Sequence, residues 1–193
     1  MKKVLLLGDS IRMGYDDFVK EELKECEVIY DKDDNGRFSS YTIWMFNFLN
    51  NQYGPFDVVH FNNGYWDMHN EGPNKEREVP IEDYIHNFKR LITFIKSTGA
   101  IPIFATTTPI YDTDKKEGEF EPIDYKNDWV IEYNEAALKL MKEENVIVND
   151  LYSLLYDKEK RHYKCSDSLH LTTEGYKKCA LQVAKVIREV INK

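Results

Sequence analysis

Cysteine is scarce in this chain. Three residues, Cys26, Cys165 and Cys179, are scattered through 193 positions with no C-x-x-C pair. An odd, unspaced set excludes a disulfide framework, no metal constellation accompanies it, and free thiols fit a reducing compartment, so a cytoplasmic location is expected. Basic charge is also in deficit, with 26 Lys and Arg against 34 Asp and Glu for a formal net charge of -8. No five-residue basic block appears, which argues against a nucleic-acid partner, since phosphate binding needs clustered cations. Long apolar runs are missing too. Only Val4 to Leu7 precede Gly8, too short for a signal-peptide core and far below the ~20 residues that span a bilayer. No membrane insertion is expected, and no repeat, low-complexity tract or linker divides the chain.

What is present suits a globular enzyme-sized unit. Hydrophobic residues make up 42 % and charged residues 31 %, a balance that excludes disorder, and the length suits one domain, 1–193, with a substantial core. Strand and helix signals alternate. The continuous apolar run Val4 to Leu7 predicts a strand buried on both faces. Met13, Phe18, Val19 and Leu23 give helical spacing over 12–25. A strand is expected at Glu27 to Tyr30, a helix from Ser39 to Asn50 and a strand at 57–61. A further helix runs from Pro80 to Ser97, where Pro80 suits a first turn and Gly99 a stop. "AIPIFATTT" predicts the fourth strand and "NVIV", 145–148, the fifth, with a helix carrying Val130, Tyr133, Ala137, Leu138 and Met141 between them. Leu151 to Tyr156 and Thr173 to Ile191 complete the helices. Five strands alternating with helices predict an α/β domain with a parallel sheet. In such sheets the ligand site lies outside the carboxyl ends of the strands, where Ser10, Asn62, Asn63 and Thr106 to Thr108 all fall.

The stretch "KKVLLLGDSIRMGY" delivers Ser10 to the tip of the first strand. A serine there suits a helix N-cap, but it also suits a nucleophile, which needs a base because a hydroxyl alone is unreactive at neutral pH. Of the five histidines, His60 alternates within a strand and His86 lies in a polar helix, so both read as structural or solvent-facing. His170 stands in "CSDSLHLTTEGY", three residues after Asp167. The spacing D-x-x-H allows one turn of backbone to set the carboxylate on one ring nitrogen while the other faces outward, fixing the tautomer and stabilising the imidazolium. A nucleophile elbow of the G-x-S-x-G type is excluded, because the serine block continues to Arg12.

Taken together, "LLLGDSIRMGY" and "DSLHLTTEGY" resemble the first and last blocks of the SGNH, or GDSL-type, hydrolase family. The stretches "NGRFSSYT", "VVHFNNGYWD" and "IFATTTP" follow the family order between them. The resemblance implies a three-layer α/β/α flavodoxin-like fold with a five-stranded parallel sheet and helices on both faces. It also implies Ser10 as nucleophile, His170 as base and Asp167 as orienting acid, with no cofactor and no metal. The family's second block supplies a backbone donor to the oxyanion, which maps to Gly36 or Arg37. Its third block, G-x-N-D, reads here Gly64-Tyr65-Trp66-Asp67, so tryptophan replaces the donor asparagine. Asn62, Asn63 or the Trp66 indole could substitute, with Asn63 preferred, beside the Ser10 N–H. Loss of one such donor typically costs about 10²–10³ in rate.

Trp66, Asp67 and His69 form a poor ligand set, and no metal is expected there. Tyr65, Trp66, Tyr111, Phe120, Tyr125 and Trp129 lie in or near loops at the site edge, where Tyr65 and Trp66 are candidate substrate contacts. Residues 109–127 read as one long acidic loop suited to a lid or substrate wall. The expected reaction is hydrolysis of a carboxylic ester, with a small acyl group, acetyl above all, carried by a carbohydrate or other polar alcohol. A lysophospholipase or thioesterase for longer acyl chains and a non-catalytic binding domain are the alternatives.

Overall fold

Every residue from Val4 to Leu7 is buried, at 1 % exposure or less, because the strand that contains them lies in the middle of a sheet covered on both faces. A computed structural model of the chain describes residues 1–71, 76–111, 123–156 and 163–192. In chain order the elements are β1 (Lys2–Leu7), α1 (Ser10–Glu22), β2 (Cys26–Ile29), α2 (Ser39–Tyr53), β3 (Val58–Phe61), α3 (Tyr65–Met68), β4 (Asn70–Glu71) and α4 (Ile81–Ser97). Then follow β5 (Ile101–Ala105), β6 (Ile123–Asp124), α5 (Asn127–Glu143), β7 (Ile147–Asn149), α6 (Leu151–Leu155) and α7 (Thr173–Ile191).

Five strands form one sheet in the order β2-β1-β3-β5-β7, every pairing parallel. Helices α1 and α7 pack together on one face, while α2, α4 and α5 line the other. This is the expected α/β/α sandwich. Its strand order reverses between β1 and β3, and open sheets of this kind bind ligands at the crevice beyond such a reversal. The crevice is lined by the segments that follow Leu7 and Phe61.

Several boundaries differ from the expected ones for local reasons. The fourth strand stops at Ala105 because Thr106, Thr107 and Thr108 leave the ladder and bond instead to Asn149, Asn134, Tyr65 and Asp150. Helix α1 opens at Ser10, two residues early, because Asp9 is its N-cap and accepts the Ile11 N–H at 2.9 Å. Part of the segment read as loop between 109 and 127 is a strand, β6, paired antiparallel with β4; residues 112–122 of that segment, including Phe120, lie outside the described residues, as does His162. Among the described residues no helix is long and apolar enough to cross a membrane.

Candidate active site

The β1–α1 turn is built by Gly8. Its φ of +153° belongs to the region that side chains rarely adopt, and a Cβ there would stand 3.0 Å from the Asn62 carbonyl and 2.9 Å from the Arg12 side chain. The turn therefore passes against the end of β3 and delivers Ser10 as the first residue of α1. A helix start carries partial positive charge from its unpaired N–H groups, which favours a developing alkoxide. The cap is Asp9, so Ser10 is not needed for that task.

His170 reaches Ser10 from 160 positions away. Its Nε2 lies 2.9 Å from Ser10 Oγ, and its Nδ1 lies 2.7 Å from Asp167 Oδ2. The expected three residues are thus brought into one hydrogen-bonded relay. The hairpin that carries the pair is closed by bonds from Cys165 N–H to the His170 carbonyl (2.8 Å) and from Thr172 N–H to the Tyr163 carbonyl (2.8 Å). Asp167 Oδ1 also accepts the N–H groups of Leu169 and His170, both at 2.9 Å. Burial alone would raise the Asp167 carboxyl, but the bonds from the His170 ring and from the two N–H groups outweigh it and hold the group below its ordinary value. It stays ionised, as an orienting acid must. Asp167 plays no part in capping α7, whose cap is Thr172, accepting the Gly175 N–H at 3.3 Å.

Two groups outside the expected set hold this machinery. Arg12 is fully buried. Its Nε donates to the Gly8 carbonyl at 3.3 Å, Nη1 to Asp16 Oδ2 and to the Asp31 carbonyl at 2.6 Å each, and Nη2 to the Asp34 carbonyl at 2.6 Å. It ties the turn before Ser10 to the loop leading into α2. Lys164 is buried under the hairpin, where Nζ donates to the Leu169 carbonyl (2.8 Å), Thr108 Oγ1 (3.1 Å) and the Tyr65 hydroxyl (3.3 Å). Burial lowers its amine to about 7, against the pull of nearby groups that include Asp167 and Asp9. The Asp9 carboxyl is pushed up to about 6 by burial, despite its Ile11 N–H bond and the nearby cations.

The two N–H groups expected at the oxyanion have other acceptors. Gly36 approaches Gly8 so closely that a Cβ would sit 2.5 Å from the Gly8 carbonyl, and its N–H donates to that carbonyl at 2.9 Å. The Arg37 N–H is likewise taken, by Asn35 Oδ1 at 2.9 Å, in a side-chain turn that holds Arg37 at a φ of +39°. Both N–H groups named from the sequence are therefore spent on folding the loop. One turn later, Ser39 donates its N–H and hydroxyl to Asp67, while the N–H groups of Ser40 and Tyr41 bond to no described group. Asn63 is buried, with Nδ2 donating one of its two hydrogens to the Arg37 carbonyl at 2.8 Å, and its Oδ1 has no partner among the described residues. Asn62 is spent on the Ala105 carbonyl at 2.7 Å.

Tyr65, expected at the substrate, is instead a buried pillar: it is 2 % exposed and its hydroxyl donates to the Thr108 carbonyl at 2.6 Å. Trp66 is partly exposed and meets Phe38 and His69 edge-on at 5.7 Å, with Tyr125 beyond His69. Asp67 is a capping anion for α2, and burial raises its carboxyl to about 7 against its Ser39 bonds. His60 is buried with Nε2 at 3.1 Å from Asn149 Nδ2, a core histidine. Among the described residues no three metal-binding side chains come together.

Comparison with known proteins gives the same outline. The GDSL-like Lipase/Acylhydrolase family matches residues 6–178. The isoamyl acetate-hydrolyzing esterase 1 homolog of Homo sapiens is 29 % identical over 195 residues, covering 90 % of this chain and 76 % of its own. The crystal structure of a lipase/acylhydrolase from Enterococcus faecalis superposes with a TM-score of 0.75 at 20 % identity, covering 98 % of this chain and 96 % of the other. The psychrotrophic esterase EstA from Pseudoalteromonas sp., in a structure inhibited by monoethylphosphonate, gives 0.72 at 14 % identity with both chains fully covered. With that match running from β1 through Ser10 and the Asp167–His170 pair into the first turns of α7, the chain belongs to the GDSL-like lipase/acylhydrolase family and is a carboxylic ester hydrolase.

Proposed function

We propose that the enzyme removes a small acyl group, acetyl above all, from a polar alcohol such as a carbohydrate, through an acyl-enzyme on Ser10. The observation that carries the reading is the unbroken relay from Ser10 Oγ through the His170 ring to Asp167, at 2.9 and 2.7 Å. Ser10 Oγ attacks the ester carbonyl while His170 Nε2 takes its proton, and Asp167 stabilises the imidazolium so formed. The tetrahedral intermediate collapses as His170 returns the proton to the leaving alcohol oxygen. Water then adds to the acyl-enzyme with the same base, releasing the carboxylic acid and restoring the Ser10 hydroxyl.

The oxyanion is assigned to N–H groups at two helix starts, Ser10 of α1 and Ser40 of α2, with the second amide hydrogen of Asn63 as a further donor. Unpaired first-turn N–H groups suit an anion, and Gly36 brings the loop before α2 against Gly8. Trp66, at the family's asparagine position, acts as a wall and not as a donor. The small acyl group is supported by the bulk of Trp66 and Phe38 at that wall and by the human relative, whose name specifies an acetate ester. A chain-length series of p-nitrophenyl esters tests the reading. Acetate is expected to have the highest kcat/KM, with no turnover in Ser10→Ala; preference for a long acyl chain would assign the site to lipid or thioester substrates instead.

A further inference from the structure

Helix α2 reads SSYTIWMFNFLNNQY, fifteen residues without a charge in a chain that is 31 % charged. Its outward face is nonetheless exposed: Trp44 is 53 % accessible and Phe48 46 %, beside the exposed amides Asn47, Asn51 and Gln52. The rings form a ladder. Tyr41 stacks on Trp44 at 5.4 Å and Trp44 on Phe48 at 5.2 Å, with interplanar angles of 22° and 9°. The upper end is pinned, since Tyr41 donates its hydroxyl to Asp34 Oδ2 at 2.5 Å and carries the Arg37 guanidinium 5.6 Å from its ring centre. The ladder starts within one turn of the Ser40 N–H and follows the helix down the flank of the domain, away from Ser10.

We propose that this face binds a neutral polysaccharide, the stretch of chain next to the sugar whose ester is cleaved. The inference rests on the reading of the site as an esterase of polar alcohols, and it adds where the rest of a polymeric substrate lies. Sugar C–H faces pack on aromatic rings, and side-chain amides exchange hydrogen bonds with hydroxyls. A ligand without charge meets no penalty here, whereas α2 itself carries no cation and the single guanidinium of Arg37 at its upper end is not the cluster that anionic lipid or nucleic acid requires. Rings already fixed by their neighbours lose little freedom on binding. A second copy of the chain fits less well. The face is about 22 Å long and about 10 Å wide, well short of the ~800 Å² per partner of a stable dimer. Continuity with the catalytic edge also has no role in self-association, but a polymer threaded from the site must lie on some adjoining surface.

The test compares wild type with Trp44→Ala, and with Phe48→Ala as a second exposed-ring variant. Native electrophoresis through gels containing deacetylated glucomannan reads binding without turnover. Wild type should be retarded and the variants should run freely. In parallel, the ratio of kcat/KM for acetylated glucomannan to that for p-nitrophenyl acetate should fall about tenfold in each variant, the loss of one aromatic stacking contact. Equal retardation with an unchanged ratio overturns the proposal. So does light scattering that finds a wild-type dimer split by Trp44→Ala, which would give the face to a second copy. Failure of wild type to hydrolyse p-nitrophenyl acetate would count against the esterase reading alone, because the gel still reports on the face.

Discussion

Replacing Arg12 by methionine should cost more than any other single change near the site that spares the three relay residues. The guanidinium is fully buried and makes four contacts, three to backbone carbonyls and one, at 2.6 Å, to the Asp16 carboxylate. Methionine fills much of the volume but leaves those carbonyls without their donor and Asp16 without its cation. Breaking one side of a buried ion pair costs ~3–5 kcal/mol. For a chain of this size each kcal/mol moves Tm by about 2–4 °C, so a fall of roughly 6–20 °C is expected. The loss should depend on pH. Burial already raises the Asp16 carboxyl to about 7 while Arg12 pulls it down; without Arg12 the carboxyl rises further, so the orphaned group is neutral in acid and charged in alkali. Urea unfolding should therefore show a larger deficit at pH 8 than at pH 5, and Arg12→Met/Asp16→Asn should be less damaged at pH 8 than the sum of the single changes. A deficit under about 1 kcal/mol, the range of an exposed pair, or strict additivity at both pH values, would refute the reasoning.

Asp167→Asn should keep the fold but lower kcat by up to ~10⁴, because the amide no longer fixes the tautomer of His170; steady-state kinetics at one pH checks this, and a wild-type rate would remove Asp167 from the relay. Lys164→Met should lower kcat about tenfold or more with KM within about twofold, since a small displacement of His170 penalises chemistry and not binding; a change in Tm without a change in kcat would make Lys164 merely structural. Stability should fall between pH 5 and about 7, above which the buried Lys164, lowered to about 7, works the other way. Burial raises the Asp9, Asp16 and Asp67 carboxyls to about 6, about 7 and about 7, and groups raised above an unfolded value near 4 oppose folding progressively as they ionise. His60, held down to about 3 by burial, acts the other way, its contribution complete above about 6.5 and lost as pH falls. Urea midpoints that climb steadily from pH 5 to about 7 would contradict the carboxyl account.

The relay residues were legible because each sits in a short block whose own chemistry is local. Asp167 and His170 are three apart, and one turn of backbone is enough to join them. The sandwich was legible from the buried run at Val4 to Leu7 and the alternation that follows it. What escaped depends on contacts between distant segments. The Gly36 and Arg37 N–H groups look free until the loop closes on Gly8 and Asn35. Tyr65 reads as a loop aromatic because a four-residue helix such as α3 leaves no periodicity to detect. Arg12 was informative only as a residue that breaks an elbow motif, and Lys164 resembles any surface lysine until its three acceptors are seen. Ser40 carries a signal that could have been used, since the start of a predicted helix always presents unpaired N–H groups.

Activation of Ser10 by His170 is the central step, and the rate of covalent capture by a fluorophosphonate measures that step alone. Intact mass and peptide mapping should find one adduct, on the peptide containing Ser10, with His170→Ala slowing its formation by about 10³ or more. An adduct on another residue, or capture at the wild-type rate without His170, would contradict it.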